Sequence, residues 1–122
     1  ELYEYFYPLH YELEDYKNDY KAKAICERYF EKIIEAAVDL AFLTIRFKKF
    51  RTPEDDESSF IILEKNKLIS KELSLNLRLA KGMRNVIAHQ YGIIDDEKVF
   101  TAINEQLETD IKEFIKNIEL SL

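Results

Sequence analysis

The side chains best suited to chemistry lie close together in residues 84–91, which read Arg-Asn-Val-Ile-Ala-His-Gln-Tyr. The guanidinium of Arg84 is a permanent cation that can hold two phosphate oxygens at once. The imidazole of His89 can donate or accept a proton near neutral pH. RNA carries its own nucleophile, the 2′-hydroxyl. A pair of this kind can therefore cleave RNA without a metal ion, by moving protons and stabilising negative charge.

Each polar residue of this segment would have a separate role in RNA cleavage. Arg84 would grip the scissile phosphate, and His89 would act as general acid or base on the 2′-hydroxyl or the leaving 5′-oxygen. Asn85 would bind the phosphate or order Arg84, and Tyr91 would present a phenol beside the same cleft. On an ideal helix Arg84 and His89 are about 140° apart. They converge if the helix loosens after Ala88, or if two chains meet with both motifs at one cleft.

Ordinary structural roles remain open for the same residues. An Arg-x4-His spacing arises often by chance, Arg84 can pair with a helix carboxylate, and His89 can cap the last carbonyls of a helix. Tyr91 can be a packing residue. Asp39 lies on a polar stripe of the preceding long helix, where intrahelical ion pairing is the usual explanation. If that stripe faces the motif helix, Asp39 can orient Arg84 or His89.

The elements that must position these residues are helices. Apolar residues recur at helical spacing through residues 20–47 in two adjacent stripes, which predicts a long central helix with a wide buried arc. One stripe includes Ile25 and the other Cys26. Residues 51–58 form the one clear loop, and a short apolar segment follows at residues 60–63. Residues 2–20 carry a further helical stripe.

The motif belongs to a helix that Ser70 is expected to cap. Leu73 and Leu77 face the core in this prediction, and the helix ends near His89–Gly92. A last helix follows an Asp95-Asp96 cap, with its apolar face continuing to Ile118. These elements predict an all-α, up-and-down bundle of four to five helices.

Composition narrows the class of protein. The chain has 122 residues, of which 47% are hydrophobic, with two glycines and two prolines. That length fits one domain, residues 1–122, and so few turn-forming residues make an all-β fold improbable. The single cysteine, Cys26, is expected in the core and excludes a disulfide framework. A net charge of −6 argues against broad, nonspecific coating of nucleic acid, although a compact RNA site remains open.

The sequence lacks the usual motifs of cofactor, metal and membrane binding. The sequence shows no glycine-rich phosphate loop and no paired Cys or His spacing for a metal, so we expect neither a cofactor nor a metal. No apolar run is long enough to span a bilayer, and no signal peptide is evident. We therefore expect a cytoplasmic protein without a membrane partner.

Several segments together resemble the HepT-like branch of the HEPN superfamily. The matching pieces are residues 24–30, residues 34–41, residues 80–91 and residues 94–100. The likeness covers roughly residues 20–118 and retains an Arg-x4-His-x-Tyr motif with Asn directly after Arg. The tyrosine-rich N-terminal segment is less typical of the family.

The resemblance implies more than the residues alone. HEPN proteins of this branch are homodimeric all-α bundles with both motifs facing a shared cleft. They act as metal-independent endoribonucleases and as toxins of type II/VII-like toxin–antitoxin pairs. The antitoxin is a nucleotidyltransferase of the MNT type, which adenylylates the tyrosine of the motif. Carried over, Arg84 and His89 are the catalytic pair and Tyr91 is the modified residue. Asn85 and Asp39 remain supporting candidates on the residue-level argument above. The RNA substrate is transfer RNA or messenger RNA.

Two other functions compete with this one. The first is a non-catalytic helical binding module that partners a nucleotidyltransferase, which the acidic charge balance mildly favours. The second is a plain helical dimerisation domain. Loss of RNA cleavage on replacing Arg84 or His89 would distinguish the nuclease from both.

Overall fold

All the secondary structure that the computed structural model describes is helical. It describes residues 20–89 and 106–122. The helices are α1 (Tyr20–Lys48), α2 (Asp56–Lys65), α3 (Lys71–His89) and α4 (Glu108–Ser121). The predicted all-α class is confirmed, and no strand occurs in the described ranges. None of the described helices is long and apolar enough to cross a membrane. The predicted helix within residues 2–20 and the Asp95-Asp96 cap lie outside the described residues, except that Tyr20 begins α1.

Helix α1 is the central helix, as the two apolar stripes predict. Cys26 is buried in the core, which confirms its assignment. Burial raises the pKa of the Cys26 thiol to about 11, with the charge of Glu27 adding to the effect. The prediction is wrong for Ile25, whose surface is 38% exposed, because this residue lies at the edge of the buried arc. The core residues of α1 are Cys26, Phe30, Ile33, Ile34, Ala37, Val38, Ala41 and Ile45.

The C-terminus of α1 is closed by a Schellman motif. The Phe50 amide donates to the Ile45 carbonyl at 3.0 Å, and the Lys49 amide donates to the Arg46 carbonyl at 3.2 Å. Lys49 adopts a left-handed backbone with φ of 60°, a conformation that usually falls to glycine at this position. The motif turns the chain sharply and leaves Lys49 exposed at the end of the bundle.

Helix α2 begins inside the segment predicted as a loop. The prediction of a loop over residues 51–58 is wrong beyond Asp55, because that residue caps the helix. One oxygen of its carboxylate accepts a hydrogen bond from the Ser58 amide at 2.7 Å. The hydrogen bonds from Ser58 hold the pKa of Asp55 below its usual value. A capping aspartate starts a helix at the next residue, Asp56.

Helix α3 begins as predicted, with the Leu73 amide donating to the Ser70 hydroxyl at 3.0 Å. It extends to His89 and therefore carries Arg84, Asn85 and His89 on its last turns. The described helix reaches His89, and residues 90–92 of the predicted end lie outside the described residues. Leu73 and Leu77 are buried, as their spacing predicts.

The directions of the helices follow from contacts between them. The Asn76 amide of α3 donates to the Asp110 carboxylate of α4 at 3.4 Å. Lys48, at the end of α1, donates to the carbonyl of Ser121, at the end of α4. Phe30 of α1 and Leu107, the residue before α4, line one cavity with residues 79–80 of α3. These contacts show that α1 and α4 run parallel to each other and that α3 runs antiparallel to both. The motif and the C-terminus of α1 therefore lie at opposite ends of the bundle.

The core joins all four helices. Phe60 of α2 and Phe114 of α4 are fully buried. Their ring centroids are 5.8 Å apart and the rings are nearly perpendicular, an edge-to-face arrangement that suits the charge distribution of aromatic rings. On the surface of α2, Glu64 lies 3.8 Å from the guanidinium of Arg78 on α3. These contacts fix the helix that carries the motif against the rest of the bundle.

Candidate active site

The predicted catalytic residues lie near the C-terminus of α3. Arg84, Asn85 and His89 belong to that helix, although their side chains fall outside the described part of the structure. Tyr91 lies outside the described residues altogether. The backbone is helical from Arg84 through His89, so four residues of regular helix lie between the two. The described backbone shows no loosening of the helix between these two residues.

Asp39, the predicted supporting residue, lies on the side of α1 that meets the motif helix. It lines a cavity of about 300 Å³ together with Lys81 of α3 and Asp56 of α2. Lys81 is three residues before Arg84, which is about 4.5 Å along the helix axis. The polar stripe of α1 therefore faces α3 at the level just below the motif. Glu35 lines the same cavity, one helical turn before Asp39.

Lys81 is the buried cation of this region. Its side chain is nearly covered, and its ammonium lies 3.6 Å from the Asp56 carboxylate. A buried ammonium requires charged or hydrogen-bonding neighbours, because removing it from water is costly. Asp55 adds negative charge from the other side of the same region. The carboxylates around the cavity outnumber the one lysine, so this cavity suits a cationic side chain better than a phosphate.

Lys81 was not predicted from the sequence. Its position in an otherwise apolar run of α3 was the available signal, since lysine is rarely buried without a partner. The partner could not be identified from spacing, because Asp56 lies on another helix and 25 residues earlier in the chain. Lys81 therefore connects the start of α2 to α3 three residues before Arg84.

A second cavity separates α3 from α4. It has a volume of about 270 Å³ and is lined mostly by apolar groups, including Phe30 and Leu79. Asp110 lies at its edge, and burial raises the pKa of this carboxyl above its usual value, against the lowering effect of the hydrogen bond from Asn76. Two further carboxylates, Glu72 and Glu113, line the polar continuation of the cavity. Among the described residues, no group of three or more His, Cys, Asp or Glu side chains is arranged to hold a metal ion.

Comparison with known proteins identifies the family. The family described as "Ribonuclease HepT-like" matches residues 4–118. A tRNA nuclease HepT of Aphanizomenon flos-aquae is 30% identical over 79% of this chain and 65% of its own length. An mRNA nuclease HepT of Shewanella oneidensis is 29% identical over 85% of this chain and 77% of its own length. The chain thus spans about two thirds of the first relative and three quarters of the second.

Comparison with solved structures supports the same fold. A tri-AMPylated HEPN toxin of Shewanella oneidensis, in complex with an MNT antitoxin, superposes with a TM-score of 0.88 and 25% sequence identity. The superposition covers 98% of this chain and 89% of that toxin. A cytosolic protein from Bacillus subtilis superposes with a TM-score of 0.83 at 17% identity, which supports the fold alone.

Proposed function

The chain belongs to the Ribonuclease HepT-like family, and from this premise we propose that it is a metal-independent endoribonuclease and the toxin of a toxin–antitoxin pair. The observation that carries the proposal is the intact Arg-x4-His-x-Tyr motif, whose Arg84 and His89 lie on the last turns of α3. This motif falls inside the matched residues 4–118. The named relatives are nucleases of tRNA and of mRNA, so RNA is the proposed substrate class.

The proposed reaction is an internal phosphoryl transfer. The 2′-hydroxyl oxygen of one nucleotide attacks the adjacent phosphorus, and the bond from phosphorus to the 5′-oxygen of the next nucleotide breaks. One proton leaves the 2′-hydroxyl and one is added to the 5′-oxygen, and His89 carries one of these transfers. Arg84 stabilises the negative charge that builds on the phosphate oxygens. Asn85 binds the phosphate or orders Arg84. The products are a 2′,3′-cyclic phosphate and a free 5′-hydroxyl.

Silencing of the nuclease is proposed to occur at Tyr91. An MNT-type nucleotidyltransferase would transfer AMP from ATP to the phenol oxygen and release pyrophosphate. The added phosphate would stand two residues from His89 and compete with RNA for Arg84, while the nucleoside would occupy the cleft. The modified state of the related Shewanella toxin, seen with its MNT antitoxin, supports this assignment.

A homodimer is proposed as the active form. Leu75 and Leu79 lie on the helix that carries the motif, and 62% of the Leu79 surface is exposed. Pairing of this surface across a two-fold axis would bury the leucines and bring two motifs to one cleft. We further propose that residues 1–122 act as one domain in the cytoplasm, where RNA substrates are available.

The test is RNA cleavage by the chain purified without an antitoxin. Wild type should cleave RNA in the presence of a chelator and leave 2′,3′-cyclic phosphate ends. Arg84→Ala and His89→Ala should each lower the rate about 10²- to 10⁴-fold. His10→Ala, which replaces the other histidine of the chain, and Arg28→Ala, which replaces an exposed arginine of α1, are the matched controls and should cleave normally.

A different outcome would favour the binding module. If unmodified wild type, verified by mass, leaves RNA intact but binds a nucleotidyltransferase, the protein is a non-catalytic partner of that enzyme. The acidic surroundings of Lys81 would then serve contact with a basic protein surface. Adenylylation is tested separately with ATP and an MNT-type enzyme, where Tyr91→Phe should abolish the mass increase of one AMP.

A further inference from the structure

Among the residues that the structure describes, the densest run of cations lies at the C-terminus of α1. Residues 46–51 read Arg-Phe-Lys-Lys-Phe-Arg and contain four cations and no carboxylate, in a chain whose net charge is −6. Three of these cations, Arg46, Lys49 and Arg51, are exposed. None of the three has a carboxylate within ion-pair distance among the described contacts. Their charge is therefore available to a ligand.

Large apolar side chains share this surface with the cations. The Phe47 side chain is 70% exposed and the Leu43 side chain, one turn earlier on the same face of α1, is 58% exposed. Leaving a phenylalanine ring in water is unfavourable unless a ligand or partner covers it. We call this set of residues, Leu43, Arg46, Phe47, Lys49 and Arg51, the α1-end patch.

We propose that the α1-end patch is a second RNA-binding site, which holds a single-stranded part of the substrate away from the motif. This inference rests on the proposed nuclease function and names how its substrate is held. An exposed aromatic ring beside exposed cations fits RNA, because bases stack on aromatic side chains while cations contact the phosphates. A basic surface on an otherwise acidic chain is also complementary in charge to a polyanion.

The backbone at Lys49 offers a control for the role of its side chain. Lys49 has a φ of 60°, where glycine would be the more stable choice. Lys67 has the same conformation, with a φ of 64°, at the end of α2. The two lysines therefore provide a matched pair, since replacement by glycine relieves the same backbone conformation in both. Only Lys49 lies beside an exposed aromatic ring.

The geometry of the bundle predicts a dependence on RNA length. The α1-end patch and the motif lie at opposite ends of the antiparallel pair α1 and α3. The helical rise separates their backbones by about 30 Å. A stacked strand advances about 3.4 Å per nucleotide, so an RNA needs about nine nucleotides to reach from one to the other. An RNA of about four nucleotides can therefore occupy either the α1-end patch or the motif, but not both at once.

The experiment compares binding and cleavage for two charge-matched variants. The patch variant carries Arg46→Gln, Lys49→Gly and Arg51→Gln. The control variant carries Lys65→Gln, Lys67→Gly and Lys71→Gln, which removes three exposed lysines and includes the same left-handed position. Affinity is measured in a His89→Ala background with single-stranded RNA of about 20 nucleotides, a length well above the site sizes of single-strand binders. Circular dichroism and thermal unfolding verify that both variants fold.

We expect the patch variant to bind this RNA at least about tenfold more weakly, with a salt-dependence slope smaller by about two, which corresponds to three lost phosphate contacts. Phe47→Ala should weaken binding about tenfold without changing the slope. With the motif intact, the patch variant should raise KM for the long RNA and lower the preference for long over short RNA. The control variant should match wild type in each measurement.

Other outcomes overturn the proposal. Equal losses in the patch and control variants would mean that net charge alone matters, and an unchanged affinity in the patch variant would exclude the site. Loss of binding to a nucleotidyltransferase with unchanged RNA affinity would assign the surface to a protein partner. Failure of the nuclease function is distinguishable, because RNA binding by the His89→Ala chain does not depend on cleavage. Normal cleavage with an unchanged length preference would refute this second site alone.

Discussion

The ammonium of Lys81 lies 3.6 Å from the carboxylate of Asp56, so the first residue of α2 is paired with the helix that carries the motif. Lys81 is largely buried, whereas Asp56 keeps about half of its side chain exposed. Since the pair lies three residues before Arg84, it connects the stability of the bundle to the position of the proposed catalytic residues.

A double-mutant cycle measures this connection. Asp56→Asn should lower the free energy of unfolding by about 1 kcal/mol, because a buried ammonium loses charge compensation. The coupling with Lys81→Gln should exceed that of the exposed Glu108–Lys112 pair, which is 3.0 Å apart within α4 and should contribute about 0.3–0.5 kcal/mol. Urea unfolding of each variant provides the measurement. Equal coupling in both pairs would contradict a special role for Lys81.

Asp39 is predicted to support catalysis from α1. Asp39→Asn should lower the rate of RNA cleavage about tenfold, or about 1.4 kcal/mol of transition-state stabilisation, because the carboxylate can no longer orient a cationic residue of α3. Glu35→Gln is the matched control, since Glu35 lines the same cavity one helical turn before Asp39 in α1. Single-turnover cleavage assays compare the two. A smaller effect at Asp39 than at Glu35 would remove its proposed role.

Asp110 should destabilise the protein at neutral pH. Burial raises its pKa in the folded state, so the folded carboxyl resists ionisation. The penalty is absent below the usual pKa of aspartate and reaches its full size once the pH rises above the folded pKa. Asp110→Asn should therefore raise stability by less than about 1 kcal/mol at pH 7 and have no such effect in acid. Urea unfolding from acid to neutral pH tests this, and a pH-independent gain would contradict it.

The aromatic contact between α2 and α4 should be costly to remove. Phe114→Ala deletes a fully buried ring that packs on Phe60, and its loss should lower the free energy of unfolding by about 3–5 kcal/mol. Phe114→Leu should cost less because it retains much of the volume. Thermal and urea unfolding measure both variants. Equal costs for the two variants would mean that the side-chain volume retained by leucine does not stabilise this part of the core.

Lys49 and Lys67 should each be more stable as glycine. Both have left-handed backbone conformations in Schellman motifs, and Lys49→Gly and Lys67→Gly should each raise the free energy of unfolding by about 1 kcal/mol. Thermal unfolding gives the comparison. Destabilisation by either change would mean that the lysine side chain makes a contact worth more than the backbone strain. A stabilised Lys49→Gly chain that binds RNA poorly would separate function from folding at this residue.

Much of the fold was predictable from residue spacing. Helical periodicity of apolar residues predicted α1 and the buried face of α3, because burial on one side of a helix imposes a repeat near 3.6 residues. Ser70 was recognisable as a cap because capping is a local hydrogen bond. The start of α2 was not predicted, because the polar residues before Phe60 are typical of a loop and Asp55 could not be recognised among them as the cap. The motif of Arg84, His89 and Tyr91 was likewise recognisable from the sequence, because it lies within eight consecutive residues.

Tertiary structure decided which residues from distant parts of the chain meet. The sequence alone determined helix class, approximate helix bounds and the candidate chemistry of the motif, because each depends on near neighbours in the chain. It could not pair Lys81 with Asp56, bring Asp39 to the side of α1 facing α3, or leave Phe47 exposed while Phe30 is buried. Those outcomes depend on the directions in which the helices pack, which are fixed by the shape of the shared core rather than by local spacing.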